Sequence, residues 1–292
     1  MSGKMMIIKI GIVVAMLIFV MPIQAAELSI YDIQYTSDPN GESPQNGFTV
    51  DCTGGIVTHK SPFGRPRLII QDPAYPDGWG AIQVKDLYGM GVFDDVNVGD
   101  WISLTNVLVE EFKGTTFLQY MEENNAGFEI LSSGNTLPMP LVVAVDEIVA
   151  PVEGLDTWLV NNHNAEKYEA MLIKVINVNV EDTGYGKAYD DYVLASNTDP
   201  NFTCWASDYM NADKDKGLIY YPNIKTGRNF CGITGFLEQY TDQQEGIYYD
   251  YYQLLTTSSD DFTIEQIADL DGDCDVDFLD FGIFTDHWLE GK

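Results

Sequence analysis

From Phe48 onward the apolar residues come in short runs rather than in helical stripes. Phe48-Thr-Val-Asp-Cys-Thr-Gly-Gly-Ile-Val57, Arg67-Leu-Ile-Ile70 and Trp101-Ile-Ser-Leu-Thr-Asn-Val-Leu-Val109 are rich in β-branched and aromatic residues. Gly, Pro, Asn or Asp bounds each of them. That combination predicts strands. Ile102 and Leu104 alternate with Trp101, Ser103 and Thr105, and both faces turn apolar further on. A strand of this kind is buried on one side first and then wraps over the core.

The pattern repeats. Gly99-Asp-Trp-Ile-Ser-Leu-Thr-Asn-Val-Leu-Val-Glu-Glu-Phe112 aligns without a gap on Gly227-Arg-Asn-Phe-Cys-Gly-Ile-Thr-Gly-Phe-Leu-Glu-Gln-Tyr240. An aromatic strand follows each copy, Thr116–Tyr120 in one and Tyr248–Leu255 in the other. Upstream, Phe48–Thr58 pairs with Tyr168–Val178, and the lead-in Leu28–Ile33 pairs with Val143–Ile148. Two diverged copies of one β unit account for this better than a single large sandwich.

The order of strands resembles an OB-fold barrel. More narrowly, Gly55-Ile-Val, Ile69-Ile-Gln-Asp72, Gly80-Ala-Ile-Gln-Val84 and Val98-Gly-Asp-Trp-Ile-Ser-Leu104 resemble OB modules attached to secreted bacterial nucleases and phosphoesterases. The resemblance implies non-catalytic barrels. The fold expected is mainly β, with two tandem OB-like barrels at 27–133 and 141–257. Segment 134–140 links them, and 258–263 leads into a small C-terminal module at 264–292.

That module carries six carboxylates in twelve residues: Asp269, Asp271, Asp273, Asp275, Asp277 and Asp280. They fall at positions 1, 3, 5, 7, 9 and 12 of an EF-hand-type loop, a spacing that wraps oxygens around a hard cation such as Ca²⁺. Position 7 conventionally donates its backbone carbonyl, so the Asp275 side chain is the least secure of the set. With Phe281-Gly-Ile-Phe-Thr-Asp-His-Trp-Leu289 behind it, the loop resembles one repeat of a type I dockerin. The family implies a secreted bacterial protein tethered to a cohesin partner, often in polysaccharide-degrading assemblies. Dockerins carry two repeats with a polar pair at loop positions 10 and 11; here one repeat is found, and the pair is Phe278-Leu279. Phe278, Phe281, Phe284 and Trp288 recur at helical spacing. Phe281, Phe284 and Trp288 are the expected partner-facing residues, toward a cohesin-like or cell-surface protein, the second barrel or another copy.

Charge and the N-terminus change the picture of where the chain works. Residues 7–20 are almost wholly apolar, follow Lys4 and end near Pro22-Ile-Gln-Ala-Ala26. This reads as a secretory signal peptide over 1–26, so a secreted or cell-surface protein with no membrane span after cleavage is expected. Forty-five acidic against 15 basic residues give a formal net charge of −30. Such a surface repels nucleic acid and anionic lipid.

Candidate chemistry is sparse. Cys52, Cys204, Cys231 and Cys274 lack metal-finger spacing; in an oxidising compartment Cys204 and Cys231 are candidates for a bridge, although connectivity is open on sequence alone. Three histidines are scattered along the chain, and neighbours such as Glu110 and Glu111 point to opposite faces of a strand. No catalytic constellation emerges. Aromatic residues offer a binding surface instead. Tyr75, Trp79 and Tyr88 are the candidate ligand-binding residues, and loop 72–80 is the best candidate for an exposed site on which sugar rings stack. The expectation is an exported, non-catalytic binding and scaffolding protein. The alternative is an accessory or divergent hydrolase component acting on extracellular polysaccharide or nucleic acid.

Overall fold

The computed structural model describes residues 27–61, 67–86, 89, 91–149, 152–153, 158–160, 163–183, 191–208, 210, 224–244, 246–264, 274 and 276–289. The signal segment 1–26, Tyr88, and loop residues Asp269, Asp271, Asp273 and Asp275 lie outside the described residues.

The protein is mainly β, with two OB-like barrels and a small C-terminal helix. In the first barrel, strand β1 (Glu27–Leu28) and helix α1 (Ile30–Gln34) lead into β2 (Thr49–Ser61), β3 (Arg67–Gln71), β4 (Ala81–Asp86), β5 (Trp101–Phe112), β6 (Thr115–Tyr120) and β7 (Gly127–Ser132). The second barrel opens with β8 (Leu141–Val142) and helix α2 (Val145–Ile148), then β9 (Val152–Glu153) and β10 (Trp158–Val160). Its main strands are β11 (Leu172–Asp182), β12 (Tyr192–Ser196), β13 (Thr203–Ser207), β14 (Asn229–Gln244) and β15 (Ile247–Leu255). The chain ends in β16 (Phe262–Thr263) and helix α3 (Phe278–Leu289).

Strand pairing makes the duplication explicit. In the first barrel β2 pairs β3, β3 pairs β4, β4 runs parallel to β6, β6 pairs β5, and β5 closes on β2. In the second, β11, β12, β13, β15 and β14 repeat the circuit, with β13 and β15 as the parallel pair. The lead-ins match too: β1 runs parallel to β2, and β8 parallel to β11.

One register differs from the sequence alignment. Gly55 lies opposite Ile102, and Val178 lies opposite Phe230, so the first strands correspond three residues further along than the sequence pattern suggested. Each strand carries a left-handed residue just before that point, Gly54 (φ 77°) in one copy and Asn177 (φ 52°) in the other. A Cβ at Gly54 would sit 1.5 Å from the Ile102 carbonyl oxygen, so this copy needs glycine. The β2–β5 register shifts around Gly54, a bulge, while the β11–β14 register runs unbroken across Asn177; in both copies the left-handed residue bends the long strand. In β11 the core residues are Ile173 and Val175 before Asn177, then Val178 and Val180 after it.

The core of the first barrel is built from Val57, Leu68, Ile70, Ile82, Val84, Ile102 and Leu104. Ile69 and Ala81, the alternate residues of β3 and β4, belong instead to the core of the second barrel. The outer face of β3 and β4 is thus covered by the second barrel. His59 on β2 meets Phe236 on β14 at 5.5 Å between ring centroids. Burial within this seam pushes His59 down to about 4, helped by the Arg67 guanidinium.

The disulfide expectation is corrected. Cys231 is bonded to Cys274, with Cα atoms 5.2 Å apart, while Cys204 is a buried free thiol. Cys204 on β13 points into the barrel core, where burial pushes it up to about 12. Next to Cys231, Gly232 and Ile233 pair with Thr263 and Phe262 of β16, which brings the C-terminal segment alongside β14. Among the described residues, no helix is long and apolar enough to cross a membrane.

Candidate functional site

Helix α1 has only five residues, and local chemistry defines it. Ser29 accepts from the Asp32 amide at 3.1 Å, while Asp32 accepts from the Ser29 amide at 3.0 Å, a reciprocal capping box. The Ser29 hydroxyl and amide hold the Asp32 carboxyl below the usual carboxylate range. Ile30 and Ile33 anchor the inner face in the core. That leaves Tyr31 and Tyr35, four residues apart, on the outer face, with rings stacked at 5.1 Å.

Loop 72–80 comes to meet them. Asp72 closes it, accepting from the Ala74 amide at 2.9 Å and donating its own amide to the Gly80 carbonyl at 2.7 Å. Trp79 is left-handed (φ 64°), a costly conformation for a large side chain, and its amide is held by the Lys167 carbonyl of the second barrel at 2.6 Å. Tyr75 stacks on Tyr31 at 4.8 Å, and Trp79 meets Tyr35 edge-on at 5.5 Å.

Four aromatic rings from two separate segments therefore form one continuous group. Tyr31 and Tyr35 also line a cavity of about 790 Å³, whose other wall is the segment 36–44. Asp32, Asp38 and Glu42 give that cavity acidic lining. Tyr35 is half exposed. The structure brings Tyr75 and Trp79 together. The sequence reading missed Tyr31 and Tyr35, although a capped Ser-Ile-Tyr-Asp-Ile-Gln-Tyr segment with outward tyrosines four apart was the signal.

The other aromatic candidates are distributed differently. Val193, Trp205 and Tyr251 form a buried cluster on the outer side of the second barrel, flanked by Tyr240 and Tyr249. Trp205 and Tyr251 are 4.0 Å apart between centroids. Three basic residues of β2, β3 and β4, at the end of the β3–β4 hairpin away from loop 72–80, are engaged within the protein. Lys60 donates to the carbonyls of Phe93, Asp94 and Val96, Arg67 pairs with Glu238 at 3.0 Å, and Lys85 lies over the Phe117 ring.

Of the twelve positions read as a candidate calcium loop, Cys274 and residues 276–280 are described. Cys274 stands at the sixth loop position in the left-handed conformation (φ 73°) that glycine usually supplies there. Asp277 caps α3, accepting from the Leu279 amide at 2.6 Å, and the buried Asp280 accepts from the Asp277 amide at 2.7 Å. The exit helix thus begins at the tenth loop position. These features and the all-oxygen donor set fit a hard cation. On α3, Phe278 is 91% and Trp288 73% exposed, with Phe281 and Phe284 also exposed. The apolar stripe is not packed on the second barrel.

No family model and no curated protein matches the chain. Among solved structures it is similar to a murine DNA-binding protein bound to double-stranded DNA, at 11% identity over 68% of this chain and 87% of that one, with a TM-score of 0.30. It is also similar to fission yeast Pot1 with single-stranded DNA, at 11% identity over 79% and 83%, with a TM-score of 0.31. A replication protein A heterotrimer bound to single-stranded DNA shows 7% identity over 80% and 68%, with a TM-score of 0.25. At such scores these likenesses carry no weight, and the barrel assignment rests on the strand pairing itself.

Proposed function

We propose that this chain is an exported, non-catalytic binding and scaffolding protein. In this reading the Tyr31, Tyr35, Tyr75 and Trp79 group takes sugar rings, and the C-terminal module holds Ca²⁺ to tether the protein to a partner. One observation carries the ligand half: four aromatic rings gathered outside either barrel core, at the rim of an acidic cavity. Stacking needs a ring face or edge with an apolar patch, and carboxylates accept hydrogen bonds from hydroxyl groups. Carbohydrate provides both, without the charge that a polyanion would bring against Asp32, Asp38 and Glu42. Nucleic acid is further disfavoured because Lys60, Arg67 and Lys85 are already engaged.

In the tether half, Asp269, Asp271, Asp273, Asp277 and Asp280 supply carboxylate oxygens to Ca²⁺, with position 275 contributing its carbonyl. Phe281, Phe284 and Trp288 then face a cohesin-like or cell-surface partner. Support comes from the left-handed Cys274 and from Asp277 and Asp280 at the start of α3.

Two titrations test the halves separately. A panel of neutral oligosaccharides is titrated calorimetrically; Trp79→Ala is expected to weaken binding roughly tenfold or more, the loss of about 1.4 kcal/mol of ring contact. Binding unchanged in the variant would remove the platform from the proposal. Calcium titrated calorimetrically into the EDTA-treated chain is expected to bind, and the Asp269→Ala, Asp273→Ala double variant to lose that binding. No heat from the wild type would remove the calcium module.

A further inference from the structure

Behind the cavity, three glutamates from the two barrels meet. Glu111 comes from β5, while Glu166 opens and Glu169 follows a short 3-10 turn that precedes β11. Glu111 accepts from the Thr116 hydroxyl at 2.6 Å and from the Ser43 amide at 2.8 Å. Glu169 accepts across the seam from the Thr116 amide at 3.0 Å and from the Gln34 side chain at 3.3 Å. Its second oxygen is buried and has no hydrogen-bond partner. Glu166 accepts from the Tyr252 hydroxyl, and its carboxylate abuts Gly41 in the segment that walls the cavity.

The charges acting on this group are carboxylates. Glu42 faces Glu111, Asp250 faces Glu166, and the three glutamates face one another. On β15, Asp250 is held by His163 at 2.9 Å, and Tyr252 completes the surround. Burial is the largest influence on all three, and it raises each pKa, Glu166 to about 8. A cation is a poorer way to neutralise the group. One oxygen of each carboxyl is already engaged, Glu111 and Glu169 by amides and hydroxyls from Ser43, Thr116 and Gln34, and Glu166 by the Tyr252 hydroxyl. Among the described residues, no three acidic, histidine or cysteine side chains are arranged to hold a metal ion.

We infer that Glu111, Glu166 and Glu169 form a proton-operated clamp between the barrels: the docked seam holds protons on this group, and their release to solvent loosens both the seam and the 36–44 segment walling the cavity. The sign follows from linkage. A carboxyl whose folded pKa is raised adds stability that is fully present below its unfolded value of about 4.5 and is lost as pH rises through the folded value of about 8. His59 acts in the opposite sense. Its pKa falls from 6.5 to about 4, so its contribution is full above 6.5 and is lost as pH falls through 4. Well above pH 6.5 the His59 contribution is constant and does not mask the glutamates.

The test is amide hydrogen exchange on the full chain between about pH 6.5 and 9, corrected for intrinsic exchange. Protection at Ser43 and Thr116, whose amides donate to the group, is expected to fall about tenfold per pH unit for each proton released, and to level off above the highest folded pKa. The Glu166→Gln, Glu169→Gln pair is expected to flatten that slope. Constant protection in the wild type would overturn the clamp, as would an unchanged slope in the double variant. Should the double variant not fold, Glu111→Gln decides: a reduced slope supports the clamp, and an unchanged one overturns it.

Discussion

The two barrels share one strand circuit but use the same part of it in opposite ways. In the first, the outer face of β3 and β4 is shut against the second barrel: Ile69 and Ala81 join its core, Gln71 accepts from the Leu172 amide at 3.3 Å, and Gln83 donates to Glu238 at 3.3 Å. In the second, the matching strands β12 and β13 carry Val193 and Trp205 outward, onto Tyr251 and its neighbours. Strands in this position of an OB barrel form its usual ligand face. Here the first copy has given that face up to tandem docking. Its aromatic group lies elsewhere, on α1 and loop 72–80. The fold alone therefore says little about where a ligand sits.

The comparison can be broken at its strongest point. Ile69→Asp places an unpaired carboxylate in the seam and is expected to cost about 3 kcal/mol or more in urea denaturation. Thr203→Asp, outward on β13, is expected to stay within about 0.5 kcal/mol. Equal losses at the two sites would mean that the faces are equally covered. The weakest link sharpens the contrast. Lys113 and Asp242 join the barrels at 2.8 Å where both are partly exposed, and Asp242→Asn is expected to change stability by less than about 1 kcal/mol. A larger loss would extend the seam to that edge.

Much of the fold was legible because strand chemistry is local. The runs at Arg67–Ile70 and Trp101–Val109 became β3 and β5, and the gapless match of residues 99–112 on 227–240 became the pairing strands of two like barrels. The left-handed residues Gly54 and Asn177 escaped notice. A glycine and an asparagine do the same conformational task there, and a residue-by-residue alignment sees no likeness. Of the candidate site, Tyr75 and Trp79 stood out because large aromatics in a Pro- and Gly-rich loop have little reason to be core. Tyr31 and Tyr35 did not, since their role appears only once α1 lies beside that loop.

The sequence by itself determined the β-rich character, the duplication and the carboxylate spacing of the tail, each a matter of residues close along the chain. Which cysteines meet, which barrel face is covered, and where three glutamates lose their water were decided by tertiary structure. Alternation tells which residues share a face of a strand. It does not tell what lies against that face, and burial, pairing and proton affinity all depend on the answer.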